Sequence, residues 1–152
     1  MSFEEYTYDK FIFKVKSEIF YHKDGCWIEK TDNAATIGVT DFFQTLNGDV
    51  ASISLFAAGI KIKQDEPFGD LETMKVSFEL TAPISGEIIE LNKDLDSSPE
   101  LINLEPYGNG WLLKVRLDDF EKDKINLMDS KAYFGFMKTK VAEEGEKLKS
   151  EQ

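Results

Sequence analysis

Cysteine is nearly absent from this chain of 152 residues, with Cys26 the only one. One thiol can neither close an internal disulfide nor supply a thiolate metal cluster, so a disulfide-stapled scaffold is excluded and a reducing compartment fits. Histidine is equally scarce, His22 standing alone. One His and one Cys leave only scattered carboxylates to complete a metal site, a poor donor set for zinc. Positive charge is short too: 18 Lys and Arg against 29 Asp and Glu leave a net charge of −11. Nucleic acid and anionic membranes would repel such a chain, and basic docking patches on partner proteins are its natural complement. No apolar run approaches the roughly 20 residues that span a bilayer. Met1-Ser2-Phe3-Glu4-Glu5 has neither a charged-then-apolar secretory pattern nor the Arg-rich, acid-poor pattern of a transit peptide, and a bacterial or archaeal cytoplasm is expected. Phosphate-binding loops and dinucleotide fingerprints are missing as well.

What is present suffices for a core. Hydrophobic residues make up 41% of the chain and aromatics 12%, and no linker or low-complexity tract divides residues 1–152, so one domain is expected. Phe11-Ile12-Phe13-Lys14-Val15 and Ile19-Phe20-Tyr21 read as a strand-rich opening, Lys23-Asp24-Gly25 as a turn, and Trp27-Ile28-Glu29-Lys30 as the next strand. Ala35 to Val39 is a short strand. Asp41 with Gln44 three residues on makes a capping-box start, and Asn47-Gly48 a left-handed stop, which predicts one or two helical turns from Asp41 to Leu46. Alternation returns from Asp49 to Leu55, with Val50, Ile53 and Leu55 as core, and Gly59 to Lys63 reads as a half-exposed strand. Ser98-Pro99-Glu100 opens a short helix ending near Asn103. Trp111 to Leu117 is a late strand ended by Asp118-Asp119. Tyr133, Met137 and Val141 recur every four residues and predict an amphipathic C-terminal helix over about residues 129–148, fraying from Lys147 to Gln152.

The stretch from Pro67 to Gly86 organises the rest. Val76, Phe78 and Leu80 alternate with Ser77 and Glu79, the pattern of a strand with one buried face. With Met74 and Lys75 as the central pair of a tight turn, Leu71-Glu72-Thr73 becomes the incoming strand and the lysine sits at the tip. Neither tip residue is the Gly, Asn or Asp that such turns favour, a hint that the tip serves chemistry. By itself Lys75 reads as one of many solvated cations.

Its flanks change that reading. Glu72-Thr73-Met74-Lys75 followed by Ala82-Pro83-Ile84-Ser85-Gly86-Glu87-Ile88-Ile89-Glu90-Leu91-Asn92 resembles the lipoyl-attachment region of the H protein of the glycine cleavage system. Ile37-Gly38-Val39-Thr40-Asp41, Gly48-Asp49-Val50, Pro99-Glu100-Leu101-Ile102-Asn103 and Pro106-Tyr107-Gly108-Asn109-Gly110-Trp111-Leu112 are similar to further segments of that family, in order, over roughly Tyr21 to Leu117. Such a set is far more specific than one short pattern.

The resemblance implies a mainly β fold, a barrel-sandwich hybrid of the lipoyl/biotinyl type with short helices and a C-terminal helix. It implies lipoate in amide linkage on Lys75, with Glu72 as a flanking recognition residue. The implied role is a carrier and not an enzyme. The arm would take an aminomethyl group from glycine decarboxylase (P protein), pass it to an aminomethyltransferase (T protein) and be reoxidised by dihydrolipoamide dehydrogenase (L protein). A lipoate ligase or octanoyltransferase would load it. A lysine amine is almost wholly protonated at neutral pH, so a loading enzyme must take its proton and needs the side chain reachable, as a turn tip makes it.

Three departures stand out. Gly25 occupies the family's histidine position, Cys26 replaces the glutamate before the tryptophan, and Phe56-Ala57-Ala58 stands where a proline usually follows Leu55. They leave open H-like lipoate-binding proteins that carry sulfur intermediates for a heterodisulfide-reductase-like sulfur oxidation system, and a scaffold that keeps the fold without the cofactor.

The remaining candidates read as structure. His22 and Cys26, four residues apart, lack a third orienting group for nucleophilic catalysis and are expected as a surface His and a half-buried Cys beside a turn. Asp118-Asp119 and Glu143-Glu144 read as solvated charge. Phe42, Phe43, Phe78 and Trp111 read as core, since no basic residues interleave them into a stacking platform.

Overall fold

The computed structural model describes residues 2–150, the side chains of 146–150 excepted. The alternating stretches form three antiparallel sheets. β1 (Phe3–Tyr8) and β2 (Phe11–Lys16) pair only with each other. The largest sheet runs, across its width, β12 (Met128–Asp129), β3 (Phe20–Tyr21), β4 (Cys26–Thr31), β5 (Ala34–Val39), β11 (Leu113–Leu117), β10 (Gly86–Leu91) and β7 (Lys61–Ile62). The third is β6 (Val50–Leu55), β8 (Pro67–Thr73) and β9 (Ser77–Thr81).

Two apolar clusters follow from these strands. In the first, Ile28 of β4 pairs with Ile37 of β5, and both are fully buried with Ile88 and Val115 against Phe68, Leu71 and Leu80 of the small sheet. Each such side chain contributes about 1.5–3 kcal/mol by leaving water, so these faces hold the two sheets together. The second cluster is aromatic. Phe13 and Val15 of β2 meet Tyr21, Trp27 and Phe42, and the stripe Tyr133, Met137 and Val141 of the C-terminal helix closes it. Within it the Tyr21 and Tyr133 rings stack at 4.3 Å, and Phe13 meets Phe42 edge-on at 5.3 Å.

The helices match expectation in place more than in detail. α1 (Asp41–Asn47) ends at Gly48 as expected, but with φ 95 and ψ −171 the glycine is extended on the positive-φ side and not a left-handed helical stop. Its cap is Thr40, whose hydroxyl accepts from Phe43 N–H at 3.1 Å, and not Asp41. The Asp41 carboxylate turns away to accept Lys14 N–H at 2.7 Å, a long-range partner invisible to local pattern. α2 (Asp94–Ser97) was unforeseen, and α3 (Leu101–Leu104) starts three residues after Ser98, with no side-chain cap. The late strand begins at Leu113, because Leu112 N–H bonds Ile37 O from outside the regular ladder. Asp119 does more than end it: its carboxylate accepts from Lys122 N–H and opens α4 (Phe120–Lys124). α5 (Ser130–Ser150) is the C-terminal helix, with Asp129 accepting from Ala132 N–H at its start. The fraying expected from Lys147 to Gln152 falls on residues whose side chains, and for the last two whose backbone, lie outside the described part.

Val50 is buried as expected, with Ile53 and Leu55 half-buried against the core. Val76 is a correction: it lies at the tip and is exposed, so the buried face of its strand runs inward through Phe78 to Leu80. Among the described residues no helix is long and apolar enough to cross a membrane.

Candidate functional site

The hairpin β8–β9 presents Lys75. Its strands pair Glu72 with Ser77 and Leu71 with Phe78, and Thr73 N–H donates to Val76 O at 2.8 Å, leaving Met74 and Lys75 as the central pair. The turn needs no left-handed residue, since neither is among the residues with positive φ. Thr73 explains how. Its hydroxyl accepts from Lys75 N–H at 3.2 Å and Val76 N–H at 3.0 Å, taking the two donors that a tight turn otherwise leaves open. Met74 N–H reaches across to Asp49 O at 3.0 Å, tying the tip to the segment before β6. The tip is therefore held by partners outside the usual turn residues.

Lys75 is exposed, as is Met74 at 78%. The lysine's aliphatic stem lies across Gly48 at the end of α1: a Cβ built there would meet Lys75 Cε at 3.2 Å. A side chain at residue 48 would crowd the stem, and its φ of 95 already favours glycine. The structure places Lys75 at the expected tip; the cradle at Gly48 was not expected from the sequence, where the Gly48-Asp49-Val50 segment is its signal.

Glu72 lies on the outer face of the hairpin. Ser52 and Ser77 hydroxyls each donate to one of its carboxylate oxygens at 3.4 Å, so it is steered yet exposed. Asp70 and Glu79 share this face, which is acidic around a lysine. The structure thus brings Glu72 and Lys75 onto one hairpin.

His22 and Cys26 are both buried, correcting the expected surface histidine and half-buried cysteine. The His22 Nδ1 accepts from Asp24 N–H at 3.1 Å, so Nε2 carries the proton it donates to Asp65 at 2.8 Å. Both ring nitrogens are used, and a metal drawn to the neighbouring Asp24 and Asp65 carboxylates would have to displace them. Burial pushes the Cys26 thiol up to about 12, the opposite of an activated nucleophile. Gly25 is explained by packing: with φ 109, it leaves room for the Phe43 ring, which a Cβ there would strike. Phe43 in turn meets Phe78 edge-on at 5.4 Å. Asp118 pairs with Lys61 at 3.0 Å and Glu143 with Lys140 at 3.5 Å, both at the surface.

Residues 19–140 match the family model described as glycine cleavage H-protein. The glycine cleavage system H protein of Symbiobacterium thermophilum is 41% identical over 124 residues, covering 82% of this chain and 96% of that protein. That of Bacillus velezensis is 43% identical over 113 residues, covering 74% and 88%. A crystal structure of a glycine cleavage system H protein from Mycobacterium marinum superposes with a TM-score of 0.69 at 27% identity, over 80% of this chain and 97% of that one. The barrel-sandwich expectation, with short helices and a C-terminal helix, is borne out by that likeness. The chain belongs to the glycine cleavage H-protein family.

Proposed function

We propose that Lys75 carries lipoate in amide linkage and that the chain works as the lipoyl carrier of glycine cleavage. The observation that carries this reading is the placement of Lys75: exposed, at the tip of a hairpin whose turn is held by Thr73 and Asp49, with its stem on a bare glycine. These residues fit the group, because an exposed amine with an open cradle can be acylated without disturbing the core. When bound, lipoate supplies a disulfide that opens to thiols and carries a small group between partner enzymes.

The chain's own residues do the rest. Thr73 and Gly48 aim the amine; the barrel behind them keeps the attachment point still, so tethering raises the arm's effective concentration at each docked partner. Glu72, with Asp70 and Glu79 beside it, offers an acidic face to the lipoate ligase or octanoyltransferase that must recognise Lys75. Glycine decarboxylase, aminomethyltransferase and dihydrolipoamide dehydrogenase are the partners, in the cytoplasm, and the chain is their shared substrate rather than a catalyst.

The glycine role is preferred to the sulfur role. Gly25 and Cys26, two of the three departures that motivated the alternative, have packing reasons: one admits the Phe43 ring, the other fills the core. The test is to express the chain with lipoate and a competent ligase and weigh it intact. A lipoyl gain lost in Lys75→Arg supports the reading, and an unmodified chain favours a cofactor-free scaffold. Lipoylated protein that fails to support bicarbonate exchange by glycine decarboxylase would return the sulfur role.

A further inference from the structure

The small sheet and the large sheet each leave a strand edge open, and both edges line one cavity. β6 is the outer strand of its sheet, with β8 on one side and no strand on the other. Phe56 N–H donates to Phe68 O at 3.0 Å, while Leu55 stands opposite Gly69 and Ile53 opposite Leu71. Bonded and non-bonded pairs alternate along an antiparallel ladder, so Ile53 and Leu55 aim their N–H and C=O groups away from β8. Among the described residues nothing takes those groups. On β10 the arrangement recurs at one residue. Asn92 N–H donates to Leu112 O at 3.0 Å, so the neighbouring Leu91, opposite Leu113, points its own groups away from β11. The other flank of β10 is covered by β7 at Gly86 and Glu87 and by Ile60 at Ile88, and the cover stops short of Leu91.

The cavity between these edges measures about 880 Å³, with Ile53 and Leu55 on one wall and Ile89 and Leu91 on the other. Leu95 of α2 and Trp111 extend the apolar lining. Such a volume suits a bound guest, since ligand sites span about 300–1,000 Å³. An open edge invites pairing, and proteins ordinarily blunt one with lysine, proline or a covering element. The strand Val50-Ala51-Ser52-Ile53-Ser54-Leu55 has neither a charged residue nor a proline. Its edge is left fit to pair.

We infer that this slot takes an extended segment of a partner protein as an added strand, and that the segment alternates apolar side chains with Lys or Arg. Ile53 and Leu55, two residues apart, present their bonding groups at the repeat of a strand. Guest side chains on one face meet the apolar walls, and those on the other face meet the rim. There Glu90, Asp94 and Asp96 stand against Lys93, with Lys114 offsetting Glu90 at 3.6 Å. The surplus is negative, as is the whole chain at −11, so basic residues are favoured. A second copy is the poorer guest, because its own β6 lies in the same slot and it brings the same charge. The slot lies toward the end of β6 away from Lys75, since Val50 pairs with Thr73 beside the tip and Leu55 with Gly69. It is independent of what Lys75 carries.

The experiment titrates the full chain, ¹⁵N-labelled, with the synthetic peptide acetyl-Lys-Val-Lys-Val-Lys-Val-amide. A second peptide of the same sequence, methylated at each backbone nitrogen, keeps the charge and loses the bonding edges. Saturation with the first should slow hydrogen exchange at the Ile53, Leu55 and Leu91 amides by about 10-fold or more. The double variant Asp94→Asn, Asp96→Asn should weaken its Kd by about 2- to 10-fold, the range for two exposed charges. Ala58→Trp, at an exposed residue of the cavity wall, should block binding outright and leave the remaining amide signals in place. Equal binding of the methylated peptide, unchanged exchange at Ile53 and Leu55, or full affinity in Ala58→Trp would each overturn the inference.

Discussion

The molecule contains two hairpins with the same local plan and opposite uses. β1–β2 turns through Asp9-Lys10 and β8–β9 through Met74-Lys75, each with lysine as the second tip residue. The first turn is of an ordinary kind: Asp9 takes φ 55, and the Lys10 amine sits 5.9 Å from the Phe11 ring. The second has no left-handed residue and is held from outside by Thr73 and Asp49. Behind the first hairpin lies the aromatic cluster; behind the second lies the main core, with Gly48 clearing the path of one side chain. On the proposed reading, what separates a structural lysine from an attachment site is the support around the tip, not the tip.

Exchange of the two lysines breaks the comparison most sharply. Lys75→Arg should abolish the lipoyl mass gain altogether, while Lys10→Arg should leave it whole; modification at Lys10 would show that the surroundings do not decide. Next comes the division between structure and presentation. Phe13→Ala in the first hairpin should cost about 3–5 kcal/mol in denaturant melts, whereas Met74→Ala at the second tip should stay within about 0.5 kcal/mol. Equal losses would mean both hairpins carry the fold. Thr73→Val, nearly isosteric, strands two N–H groups and should cost about 1–3 kcal/mol while slowing lipoylation; a variant loaded at the normal rate would remove Thr73 from the presentation of Lys75.

Glycine scanning gives a smaller effect with opposite signs. Asp9→Gly relieves a left-handed residue and should stabilise by up to about 1 kcal/mol, whereas Met74→Gly only frees the unfolded chain and should destabilise by about 0.5–1 kcal/mol. The finest difference is in pH. Asp41, which anchors the first hairpin, has its folded value raised by burial to about 6, above its unfolded value of about 4. The native state therefore holds the proton more tightly, and this contribution to stability is whole below about pH 4 and lost as pH rises through about 6. Asp41→Asn should flatten that part of the stability profile; an unchanged slope would assign it to another group.

Legibility followed the same line. Strand alternation placed Val50 and Leu80, and the four-residue spacing of Tyr133, Met137 and Val141 placed the last helix, because each is a contact repeated along one element. The strand Phe3–Tyr8 escaped notice, since its residues are mostly exposed and carry no clean alternation. Thr40 was passed over as a cap because Asp41 beside it looked equally able, and only the distant Lys14 N–H explains where that carboxylate went. His22 was misplaced at the surface because Asp65, 43 residues away, supplies the partner that lets it be buried.

By itself the sequence determined that Lys75 sits at a turn between two strands of a mainly β chain, and through its flanking motifs which family that turn belongs to. These depend on neighbours within a few residues, where spacing and side-chain type act directly. Only the tertiary structure decided that the lysine's stem lies on Gly48 and that Met74 N–H at the tip reaches Asp49 O. Each joins groups brought together by packing of the two cores, and closure of such long loops leaves no periodic trace along the chain.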